Sequence, residues 1–103
     1  MNTAIFREAA DYARFYDPHG MNLLIAPIVG LPEAGRLAAF SLRIPLLYVT
    51  GTGYVPHATK SEIIRRGSAN LFVLGGEELV SDWVVYVLST FTGGRVYRIV
   101  FPS

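Results

Sequence analysis

One hundred and three residues make one domain-sized chain, long enough to bury roughly two-thirds of the surface it exposes when unfolded. A hydrophobic fraction of 51%, a mean hydropathy of +0.37 and only 17% charged residues exclude a disordered tail. Nine basic residues against eight acidic ones give +1, too little bulk charge to track a phosphate backbone, so no nucleic-acid partner is expected. The absence of cysteine excludes disulfide frameworks, thiolate zinc sites and cysteine nucleophiles together.

The longest stretch without Asp, Glu, Lys or Arg runs from Ile44 to Thr59 and is broken by Pro45, Gly51, Gly53 and Pro56. A spanning helix needs about 20 mostly apolar residues, so no membrane span is predicted. No basic region precedes an apolar stretch near Met1, so no secretory leader is expected and the chain reads as cytoplasmic as encoded.

Thr3 to Tyr16 reads as a first helix, with Thr3 as cap and Ile5, Ala9, Tyr12 and Tyr16 on one face. Asp17-Pro18-His19-Gly20 is a turn, because proline sets φ and glycine permits positive φ. Asn22 to Ala26 is a short apolar run without alternation, as in a strand covered on both faces. Pro32 opens a second helix with Glu33 in its first turn, and Leu37, Ala38 and Ser41 continue it until Pro45. Leu46 to Thr50 is a second strand. Pro56 opens a third helix, His57 to Arg66, closed by Arg65, Arg66 and Gly67. Asn70 to Leu74 is a third strand. Glu77 and Glu78 open a fourth helix to about Phe91, Gly93-Gly94 stop it, and Arg95 to Val100 is a fourth strand.

Alternating helices and strands predict one α/β domain over residues 1–103, a three-layer parallel sheet of four strands with helices on both faces. The architecture is Rossmann- or Toprim-like, with right-handed crossovers and strand order 2-1-3-4. Trp83-Val84-Val85-Tyr86-Val87-Leu88 has strand propensity, but its length with flanks favours a helix, apolar on nearly every side. Such a helix is either well buried in its own domain or covered by another subunit, and a domain this small favours the subunit.

The run Leu71-Phe72-Val73-Leu74-Gly75-Gly76-Glu77-Glu78-Leu79-Val80-Ser81, followed by Val96-Tyr97-Arg98-Ile99, resembles the cell-wall-binding repeat, type 2. Upstream, Thr3-Ala4, Pro32-Glu33-Ala34, Pro45-Leu46-Leu47 and Val55-Pro56 with Thr59 are similar to that family's motifs in the same order. Glu33 stands where the family has aspartate. The resemblance implies a parallel α/β module used in threes about a pseudo-threefold axis, holding surface proteins to anionic wall polysaccharide without covalent chemistry. It implies a homo-trimer of this single repeat, a polysaccharide or envelope-polymer partner, and an envelope location if that role holds.

Ligands of open parallel sheets bind at the carboxyl ends of the strands. Here those ends carry Thr50-Gly51-Thr52-Gly53-Tyr54 and Gly75-Gly76-Glu77-Glu78. Hydroxyls, free amides and a ring suit Thr50, Thr52 and Tyr54 to a sugar; the plainer reading is a flexible turn. Gly75-Gly76 could offer amides to a phosphate, but two glutamates beside them repel an anion, and no Lys-Ser or Lys-Thr pair follows as in a P-loop. Glu33 and His57 complete the candidate set of ligand-binding residues. His19 and His57 are the only imidazoles and no His-x-x-x-His or Asp-x-Asp spacing exists, so no metal or cofactor is expected. With no complete nucleophile, base and oxyanion set, the chain is expected to be a non-enzymatic binding or assembly module. The alternative is a small cytoplasmic α/β protein that binds a nucleotide or other small molecule at the strand ends. Arg65-Arg66 is read as complementing a helix C-terminus, and Arg7, Asp11 and Arg14 as a solvated helix face.

Overall fold

The computed structural model describes residues 4–30, 37, 41–50 and 53–100. Among these residues, three bounded helices, α1 (Ala4–Tyr16), α2 (His57–Arg66) and α3 (Asp82–Ser89), accompany four strands, β1 (Asn22–Pro27), β2 (Leu46–Val49), β3 (Asn70–Leu74) and β4 (Val96–Ile99). Of the predicted second helix, Leu37, Ser41 and Leu42 are helical, and Ser41 Oγ donates to Leu37 O at 2.8 Å. Arg43 closes it in the left-handed region at φ 56°. Thr3, Pro32, Glu33, Ala38 and Thr52 lie outside the described residues.

All strand pairs are parallel and the order is β2-β1-β3-β4, as expected. The step from β1 to β2 runs one way across the sheet, and the steps to β3 and β4 run the other way. Right-handed crossovers therefore place α2 and α3 on the same face of the sheet. On the α2–α3 side, Leu23, Ile25, Leu47, Val49, Leu71 and Val73 pack against Ala10 and Ala13 of α1, Ile63 of α2, and Val84 and Leu88 of α3. The opposite face buries Leu24, Ala26 and Leu74 and leaves Phe72 and Tyr97 stacked with ring centroids 5.2 Å apart.

Two local expectations change. On α1 the buried stripe is Phe6, Ala10 and Ala13, whereas Tyr12 and Tyr16 are 61% and 67% exposed. Small alanines let α1 approach the sheet and α2, and the tyrosines keep their hydroxyls in water. The helix after β3 starts at Asp82, not at Glu77. Gly75, at φ 116°, and Gly76 redirect the chain, the Gly76 carbonyl accepts from Leu79 and Val80 N–H, and Ser81 Oγ caps the helix through Val84 N–H at 3.3 Å. Glu77 and Glu78 thus lie in a turn, and Asp82 is the acidic residue of the first helical turn. By contrast α2 keeps its predicted limits, between Pro56 and a Gly67 at φ 79° whose N–H reaches the Ile63 and Ile64 carbonyls.

Candidate ligand-binding surface

The ends of β1 and β3 are neighbours at the point where the strand order reverses direction, which is where doubly wound sheets open a crevice. Here Leu79 occupies it. A Cβ on Gly30, after β1, would fall 2.7 Å from Leu79 Cδ2, and one on Gly75, after β3, 3.0 Å from Leu79 Cβ. Those glycines admit the leucine. Gly75 and Gly76 are buried, the Gly75 N–H donates to Ile99 O at 2.7 Å, and the Glu78 carboxylate lies over Gly76. Glu77 is exposed.

Arg98, whose role cannot be read from spacing, holds this turn in place. It reaches from β4 to donate through Nη1 to the carbonyls of Gly75 and Val80, both at 2.9 Å, and through Nη2 to Asp82 Oδ1 at 2.9 Å. Its sequence signals are an arginine in an otherwise apolar strand and its place in the Val96-Tyr97-Arg98-Ile99 motif.

Across β1 lies the loop after β2. Thr50 Oγ1 donates to the Tyr54 carbonyl at 3.0 Å, which closes the loop, and the Tyr54 ring is 61% exposed. Thr59 Oγ1 ties α2 to the same edge by donating to Tyr48 O at 2.7 Å. One strand separates this loop from the Gly75 turn, so Thr50 and Gly75 flank the end of β1 rather than meet.

His57 is exposed on the side of α2 that faces α1, with Nε2 3.3 Å from Ser61 Oγ. Its cleft of ≈ 320 Å³ is shared with Arg7, Asp11, Arg14 and Arg65. Asp11 is ion-paired there, 3.3 Å from Arg14 Nη2 and 3.9 Å from Arg7 Nε, on an exposed helix face.

Beneath this cleft sits a charge network. Glu62 is 4% exposed and Arg66 9%. Glu62 accepts from Arg65 Nε at 2.9 Å, Arg65 Nη2 at 2.6 Å and Arg66 Nε at 2.8 Å. Arg66 also donates to Gly20 O at 2.7 Å and Ala13 O at 3.0 Å, and Arg65 to Pro18 O at 3.1 Å. The arginine pair therefore serves the C-terminus of α1 and the turn into β1, not the end of its own helix. Burial pushes the Glu62 carboxyl up, but the hydrogen bonds and charges of Arg65 and Arg66 outweigh it and hold the group below its usual value. The bond to Glu62 correspondingly raises Arg65.

A larger opening lies between α1 and the edge strand β2. It is a groove of ≈ 900 Å³ whose walls include Tyr12, Tyr16 and Asp17 on one side and Arg43, Pro45 and Tyr48 on the other. Among the described residues no helix is long and apolar enough to cross a membrane.

No protein-family model and no curated protein matches the chain. Among solved structures, the fold is similar to that of Cwp6, a cell-wall protein from Clostridium difficile. The TM-score is 0.74 and the sequence identity 19%, over 97% of this chain and 16% of that one. The likeness is one of fold, and the chain spans 16% of the other protein's length.

Proposed function

We propose that the chain is a non-enzymatic binding and assembly module of the cell-wall-repeat type, which holds a glycan or envelope polymer and associates with copies of itself. The observation that carries this reading is the backbone likeness to a cell-wall protein across 97% of the chain. Leu79, seated between Gly30 and Gly75, weighs against the nucleotide alternative, because it stands where such a ligand would enter. A glycan array beside a nucleotide panel, read by thermal shift, tests the choice. Stabilisation by nucleotides alone would reverse it.

The absence of turnover is part of the reading. His57 and Ser61 face solvent, and both carboxylates that line their cleft are engaged, Asp11 by Arg7 and Arg14 and Glu62 by Arg65 and Arg66, rather than free to orient an imidazole. Sugar and nucleotide substrates should therefore remain intact. Turnover that disappears in His57→Ala would show an enzyme instead.

Self-association is proposed through α3. Val84 and Leu88 are buried and Val85 and Val87 pack against the core, so the free side is narrower than the sequence suggests. It carries Trp83 and Tyr86, each 60% exposed, with ring centroids 5.8 Å apart. Exposed aromatic pairs of this kind mark interfaces, and closed cyclic symmetry is how identical subunits cover them. Light scattering should report about three times the 11.3 kDa chain mass, and Tyr86→Asp should dissociate the assembly. A wild-type monomer at high concentration would remove the interface. A stable dimer would keep it and discard the threefold arrangement.

A further inference from the structure

The groove between α1 and β2 differs in chemistry from the cleft at His57. Tyr12 and Tyr16 stand one turn apart on α1 with ring centroids 4.3 Å apart and tilted by 33°. Both are mostly exposed, so their rings add little to the core; they lie against each other, Phe15 meets Tyr16 edge-on at 4.9 Å, and the rest of their surface is open. Pro45 and the β2 residues Leu46 and Tyr48 also line it, so the groove runs around the sheet edge, because Ile44, Leu46 and Tyr48 pack against the cluster on the face away from α1. Among the described residues of the lining, the charged ones are one carboxylate, Asp17, and one guanidinium, Arg43, whose charges cancel.

We propose that this groove binds an uncharged pyranose segment of a polysaccharide. The inference rests on the glycan reading above and moves its site from the strand-end loop to the α1–β2 edge. A pyranose has apolar C–H faces and a rim of hydroxyls. The ring face of tyrosine is electron-rich and meets the slightly positive C–H face, while its phenol can donate or accept at the rim. Asp17 accepts from sugar hydroxyls and Arg43 donates to them. Other ligand classes fit less well. A phosphate-rich ligand needs several converging cations, and among its described residues this groove offers Arg43 opposed by Asp17. A purely aliphatic ligand would strip water from both charges with nothing in return. A volume of ≈ 900 Å³ is at the upper end for small-ligand clefts, with room for more than one sugar ring.

The test is calorimetric titration of the full chain with short neutral hexose and N-acetylhexosamine oligosaccharides, beside uronic-acid oligosaccharides as the charged comparison. The neutral ligands should bind with an affinity that hardly changes with salt, because the ligand carries no charge to screen. Tyr12→Ala and Tyr16→Ala should each weaken binding by about tenfold, as one lost aromatic contact predicts. Their melting midpoints should stay near wild type, since both sites are exposed helix positions where alanine is a better helix former. Binding that survives the Tyr12→Ala, Tyr16→Ala double variant and is lost in Tyr54→Ala overturns the groove and leaves the glycan reading standing. Binding to the uronic-acid ligands alone, abolished by salt, overturns the uncharged assignment. Failure of the wild type to bind any glycan overturns both the groove and the reading it rests on.

Discussion

Arg66→Ala is expected to lower folding stability by about 3–5 kcal/mol, the usual cost of removing one partner from a buried ion pair. Its side chain is 1% exposed and that of Glu62 4%. Truncation would leave the Glu62 carboxylate with Arg65 alone and take the guanidinium bonds from Gly20 O and Ala13 O. Arg65→Ala should cost much less, because that side chain is 34% exposed and water can replace it. The same network sets the acid limb of stability. Glu62 titrates lower in the folded chain than in the unfolded one, so on acidification the unfolded state takes up the proton first. Its contribution is complete above the ordinary glutamate value of about 4.3 and is lost as pH falls through the lower folded value. Thermal melts run from neutral pH into acid should therefore fall more steeply below about pH 4 for wild type than for Glu62→Gln. Parallel acid limbs would show that Glu62 contributes nothing through its charge.

This network also marks the boundary of what sequence can reveal. Arg66 meets carbonyls at Gly20 and Ala13, and no local pattern encodes contacts so distant along the chain. Where local chemistry is decisive, reading succeeds: Pro56 and Gly67 delimit α2, and the unalternating apolar runs give the buried strands. On α1 two stripes had similar spacing, and only the close approach of Ala10 and Ala13 to the core selects between them. At α3, Glu77-Glu78 imitate a first helical turn while Ser81 supplies the actual cap.

The candidate site divides in the same way. An exposed Tyr54 in a loop closed by Thr50 follows from glycine-rich composition at a strand end. The burial of Gly75 and Gly76 does not, because it depends on Leu79 folding back and on Arg98 arriving from β4. The groove is hidden for the same reason. Tyr12 and Tyr16 belong to α1 and Tyr48 to β2, and they line one groove only once α1 packs beside the edge strand.

The glycines after α3 offer the second large effect. Gly94→Ala is expected to cost about 3 kcal/mol, at the upper end for overpacking, because the neighbours it strikes are main chain and cannot rotate away. A Cβ there would fall on the carbonyl oxygen of Ala69 and within 2.5 Å of that of Ser68. The surrounding bonds explain the tightness. Gly93 N–H donates to Gly67 O at 2.8 Å, Thr92 Oγ1 to Ala69 O at 2.5 Å, and Leu71 N–H to Arg95 O at 2.8 Å. The chain entering β4 is thus laced directly onto the chain entering β3. In a domain of this size such a loss should lower the melting midpoint by on the order of 15 °C. Gly93→Ala is the control, because its Cβ would meet Ser68 Oγ at 3.3 Å, a side chain that can turn aside. Its cost should stay within about 0.5 kcal/mol. Equal losses in the two variants would mean that both glycines act as the helix stop expected from sequence, and that the close approach of the two backbones contributes nothing.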